Sequence, residues 1–117
     1  MSVTIYHNPQ CSKSRKTLAM LQERGLAPSV IEYLQTPPDA ATLREILNLL
    51  GLGPRGLMRT KEAVYGELNL ADETLDDDAL IAAMIAHPIL IERPVVVANG
   101  AAVIGRPPEN INALFDA

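Results

Sequence analysis

The chain has 117 residues with 10 basic and 14 acidic side chains, a formal net charge of −4. That length suits one domain over residues 1–117, large enough to bury a core without disulfide or metal staples. With three Tyr, one Phe and no Trp the core must be aliphatic, and platforms for stacking bases are missing. An acidic chain without a Lys/Arg run excludes nucleic acid and an anionic membrane as expected partners, and no apolar stretch is long enough for a membrane span. One cysteine, Cys11, with only His7 and His87, cannot build a disulfide framework or a structural zinc site. The expectation is a small cytoplasmic α/β protein.

Val3-Thr4-Ile5-Tyr6-His7 is short, β-branched and apolar and runs into Asn8-Pro9, which predicts a buried strand ending in a tight loop. From Ser12 to Arg24 the spacing is helical, with Leu18 and Leu21 on one face and Gly25 as the stop. Ser29 to Leu34 reads as a second strand. Strand, helix and strand in this order form a right-handed βαβ unit with both strands parallel.

Leu43, Ile46, Leu47 and Leu50 then recur at helical spacing up to Gly51. Gly53-Pro54 opens a short helical piece, and another helix follows Thr74 with Asp76, Asp77 and Asp78 at its start, where the macrodipole favours negative charge. Residues 36–88 therefore predict an all-helical insertion. Beyond it, Pro94 to Ala98, Asn99-Gly100, and Ala101 to Ile104 spell a β-hairpin on a type I′ turn. Pro107-Pro108 begins a last helix carrying Ile111, Leu114 and Phe115. The order predicts a thioredoxin-like α/β fold, a mixed four-stranded sheet interrupted by helices.

Cys11 falls between the first strand and the first helix, where unpaired helix N–H groups favour a thiolate. Buried, a lone cysteine is an ordinary small hydrophobe, but the polar setting His-Asn-Pro-Gln-Cys-Ser argues for reactivity. His7, at the strand end, could supply positive charge or a hydrogen bond, and Arg15 stands one helical turn past the thiol. Seven Arg against three Lys is unusual in an acidic chain. Arg59, Arg93 and Arg106 stand at element junctions and suit a tetrahedral oxyanion; the alternative is pairing with a nearby acid such as Glu62 or Glu92.

His7-Asn8-Pro9-x-Cys11-x-x-Ser14-Arg15 resembles the signature of the glutaredoxin-coupled arsenate reductase family. The resemblance continues through Tyr33-Leu34-x-Thr36-Pro37-Pro38, Leu57-Met58-Arg59, the run from His87 to Val97, and Gly105-Arg106-Pro107, so it covers nearly the whole chain. It implies a thioredoxin-like fold with a helical insertion. It places the nucleophile at Cys11 and the activating histidine at His7, with Ser14 and Arg15 beside them, and oxyanion binding at Arg59, Arg93 and Arg106. The implied reaction is reduction of arsenate through a thioarsenate on Cys11, with glutathione as co-substrate, glutaredoxin as protein partner, and no bound cofactor or metal. Two other functions compete. A glutathione-dependent thiol oxidoreductase would not need three arginines for an oxyanion, and a disulfide-switched regulator would need a second cysteine where Ser14 stands. Two further expectations follow: the Arg93–Pro94 bond is cis, as in the fold that the chain resembles, and Arg55→Lys, outside the matching blocks, is nearly silent in catalysis and serves as a control for the oxyanion arginines.

Overall fold

The computed structural model describes residues 2–115, which divide into two compact units: residues 2–36 with 93–115, and residues 37–92. The first holds a sheet of β1 (Val3–His7), β2 (Ser29–Glu32), β3 (Val95–Ala98) and β4 (Ala101–Ile104) in the order β2-β1-β3-β4. β1 and β2 are parallel, whereas β1–β3 and β3–β4 are antiparallel, the mixed sheet expected. One face of β1 and β3, carrying Val3, Ile5, Val96 and Ala98, packs with Leu21 of α1 (Ser12–Glu23) and with Ile111 and Leu114 of the C-terminal segment. Each of these side chains is at least nine-tenths buried, so the period-two and period-3.6 stripes meet in one aliphatic core.

Local signals set most boundaries. Gly25 (φ +79°) follows α1 in the left-handed region that favours glycine. Asn99 and Gly100 at φ +54° and +71° form the hairpin turn, and Asn99 Nδ2 also donates to the Leu114 carbonyl at 2.8 Å. The Arg93–Pro94 bond is cis, as expected; Arg106–Pro107 is cis as well, which the sequence did not signal. β2 is shorter than the predicted 29–34. Its last partner pair is His7↔Glu32, after which β1 turns away, and the amides of Gln35 and Thr36 bond the Glu32 carbonyl in a turn instead.

The second unit is helical: α2 (Ala40–Leu50), a 3-10 turn at Pro54–Leu57, α3 (Ala63–Glu67), α4 (Asp77–Ala86) and a 3-10 turn at Pro88–Leu90. Asp39 and Asp76 cap α2 and α4 by accepting from the amides of Thr42 and Ala79, and an Arg44–Asp78 pair links the two helices. This unit runs past the predicted end at residue 88. A bridge between Met58 and Ile91, with Arg59 N donating to the Leu90 carbonyl and Glu92 N to that of Leu57, secures residues 90–92 to it. Among the described residues no helix is long and apolar enough to cross a membrane.

Candidate active site

The loop between β1 and α1 is built by its own polar side chains. Asn8 Oδ1 accepts from Gln10 N at 2.9 Å, the Asn8 carbonyl accepts from Cys11 N at 3.0 Å, and Asn8 N donates to Ser14 Oγ at 3.0 Å. This tight turn delivers Cys11 to the N-cap of α1, with extended backbone (φ −98°, ψ 123°) and only 9% of its surface exposed. Asn8 was read from the sequence only as a turn residue; its side chain and backbone in fact close the loop.

Burial pushes the Cys11 thiol up, but several groups outweigh it and leave its pKa below the ordinary value. They are the Ser14 amide, a hydrogen bond from Arg93, the Lys13 amide, and the Arg93 charge. No acidic residue stands in the first turn of α1 to offset the positive end of the helix. Arg106 Nη1 comes within 3.8 Å of Cys11 Sγ, across 95 residues of chain. Two guanidinium groups thus converge on one thiolate, and each has more donors than a sulfur can use. Around the nucleophile this arrangement favours a planar or tetrahedral oxyanion.

The remaining residues singled out in the sequence take other partners. His7 is buried, and its Nδ1 lies 2.6 Å from Ser14 Oγ, not against the thiol. Burial lowers the His7 pKa; Glu32 opposes this and Arg15 reinforces it, so the imidazole is neutral near pH 7. The positive charge contemplated for His7 is therefore not what it contributes. Arg15 turns its Nη1 to the Pro9 carbonyl at 2.9 Å, bracing the loop rather than facing the sulfur. Arg59 belongs to the helical unit, where Nε donates to Glu62 at 3.1 Å and Nη1 to Glu92 at 2.9 Å. The pairing considered for Glu62 or Glu92 is realised there with both at once. Desolvation is outweighed by these two carboxylates, and the Arg59 pKa is raised. Arg55 is no bystander: its guanidinium donates to the carbonyls of Leu70 and Asp72, at 3.0 and 2.6 Å from Nη2.

Relatives match nearly the whole chain. The ArsC family model matches residues 6–114. An arsenate reductase of Neisseria meningitidis is 54% identical over 114 residues, covering 97% of each chain. An uncharacterized protein of Escherichia coli is 61% identical over 110 residues, covering 93% of this chain and 92% of that one. The structure of an arsenate reductase from Vibrio cholerae superposes with a TM-score of 0.94 at 57% identity, covering 97% and 98% of the two chains. With its thiol at the N-cap of α1, its thioredoxin-like sheet and its helical insertion, this chain belongs to the ArsC family.

Proposed function

We propose that the protein is an arsenate reductase that works through a covalent intermediate on Cys11, with glutathione as co-substrate and glutaredoxin as its protein partner in the cytoplasm. The observation that carries this reading is the convergence of Arg93 and Arg106 on the Cys11 sulfur, an anion-binding arrangement centred on a nucleophile. Relatives at 54% identity named as arsenate reductases support the substrate.

The Cys11 thiolate attacks arsenic and water leaves, giving a sulfur–arsenic bond while arsenic remains As(V). Arg93 and Arg106 hold the oxyanion and offset charge during attack. Arg59, to which the resemblance assigns oxyanion binding, is held by Glu62 and Glu92 within the helical unit. The thiolate of glutathione then attacks Cys11 Sγ. The sulfur–arsenic electron pair stays on arsenic, which becomes As(III), and the two sulfurs form a mixed disulfide. The chain has one cysteine and no resolving thiol of its own, so an external thiol must return Cys11; in this reading glutaredoxin supplies it and takes up the glutathione.

The test is arsenate-dependent NADPH oxidation with glutathione, glutaredoxin and glutathione reductase present. Omitting either glutathione or glutaredoxin should abolish turnover. Undiminished turnover without glutaredoxin would remove it as the partner, and arsenate-independent reduction of a glutathione mixed disulfide would favour a thiol oxidoreductase.

A further inference from the structure

Gly105 lies at the point where three segments meet, each carrying one group of the reactive centre. Its amide donates to the Pro94 carbonyl at 2.8 Å, and a Cβ placed on it would stand 2.8 Å from Thr17 Oγ1, 2.9 Å from Pro94 Cγ and 3.2 Å from Thr17 Cγ2. Ordinary carbon contacts lie at about 3.5–4.0 Å, so a methyl group has no room. Neither neighbour can yield easily. Thr17 is fully buried, stiff at χ1, and tied through Oγ1 to the Lys13 carbonyl at 2.7 Å, while Pro94 is a closed ring. Thr17 belongs to α1, whose N-cap is Cys11; Pro94 follows Arg93; Arg106 follows Gly105.

We infer that Gly105 is a positioning residue for the reaction. The bare Cα lets the 105–106 backbone close against Thr17 and Pro94, which sets Arg106 and Arg93 at the Cys11 sulfur. Its backbone is not in the left-handed region, so clearance rather than conformational freedom is what glycine supplies here. A methyl at this position pushes α1, the Arg93–Pro94 segment or Arg106 outward by a few tenths of an ångström or more. A charged donor 3.8 Å from sulfur loses contact with such a shift. This role rests on reading Cys11, Arg93 and Arg106 as the reactive centre, and it can be measured without arsenate.

The experiment follows the pH dependence of Cys11 alkylation by iodoacetamide, and its protection by sulfate, in wild type and Gly105→Ala. The alkylation profile of Gly105→Ala should move to higher pH, slowing the reaction near pH 6 by about threefold or more, the effect of a half-unit rise in thiol pKa. Sulfate protection should weaken in parallel, and kcat/KM for arsenate should fall by about ten- to a hundredfold. Adding Thr17→Ala to Gly105→Ala removes the nearest clashing atom and should restore part of both shifts. Val103→Ala, a truncation on β4 away from the sulfur, should lower Tm while leaving the alkylation profile in place. If Gly105→Ala loses stability with the profile and sulfate protection unchanged, the residue is merely structural and the proposal is overturned. If Gly105→Ala does not fold, Thr17→Ala alone decides: it loosens the same contact and should move the profile the same way, and an unmoved profile overturns the proposal. Wild type that fails to reduce arsenate would sink the proposed function while leaving these alkylation shifts to stand or fall by themselves.

Discussion

His7 Nδ1 lies 2.6 Å from Ser14 Oγ, and the same hydroxyl oxygen accepts the Asn8 amide at 3.0 Å. The imidazole and the Asn8 amide thus meet on one hydroxyl. The histidine thereby orients the hydroxyl that holds the start of the Cys11 loop, and it serves the thiol through that loop.

The His7–Ser14 bond has a pH signature. Burial lowers the His7 pKa in the folded chain, so below its ordinary value of 6.5 the unfolded chain binds the proton first. Stability from this site is therefore full above about pH 6.5 and declines as pH falls, by at most about 1.4 kcal/mol per pH unit for one proton. Asp39 and Asp72, whose hydrogen bonds to the Thr42 and Thr74 amides hold their carboxyls below the ordinary range, act only in more acidic solution. Urea midpoints measured between about pH 5 and pH 7.5 should show the decline in wild type and a flatter curve in His7→Gln. Parallel curves would mean that His7 titrates normally.

Replacing Cys11 by Ser removes a nucleophile while nearly conserving its volume. Arsenate reduction should fall by at least about a thousandfold with an unchanged Tm, since a hydroxyl at neutral pH is a far weaker nucleophile. Steady-state turnover and a thermal melt check both halves.

Lys substitution at Arg93 or Arg106 keeps the charge but loses the two-donor fork. Each should lower kcat/KM for arsenate by roughly 10- to 150-fold, the value of one charge-assisted hydrogen bond of about 1.5–3 kcal/mol. Arg59→Lys should likewise lower kcat/KM for arsenate, as the role that the resemblance assigns to it requires. Arg44→Lys, at an exposed pair, is the control and should change neither activity nor Tm appreciably. Equal losses in all of these arginine variants would argue against an oxyanion pocket.

Arg55→Lys should cost stability instead. Its guanidinium bonds the Leu70 and Asp72 carbonyls through three contacts, which an ammonium on a flexible stem cannot reproduce together. A loss of about 1–3 kcal/mol by urea unfolding, with kcat/KM near wild type, is the expected result.

What was legible in the sequence was the part governed by neighbours along the chain. Apolar periodicity located β1, α1, α2, α4 and the hairpin, Gly25 and Gly51 marked the helix ends, and Asn99-Gly100 named its turn because few residues adopt φ above zero. The position of Cys11 at a strand–helix junction was equally local, and the spaced motif blocks carried the family. Tertiary structure alone decided which partner each polar side chain takes. Ser14 rather than the thiol claims His7, the Pro9 carbonyl claims Arg15, and Glu62 and Glu92 together claim Arg59. It also ended β2 at Glu32, where its neighbour turned away, and left Gly105 no space for a methyl group. Hydrogen bonds and steric clearance act over 3–4 Å, and they join groups such as Arg106 and Cys11 that stand 95 residues apart. A one-dimensional pattern holds no such distances; only the packed sheet and helix bring them into being.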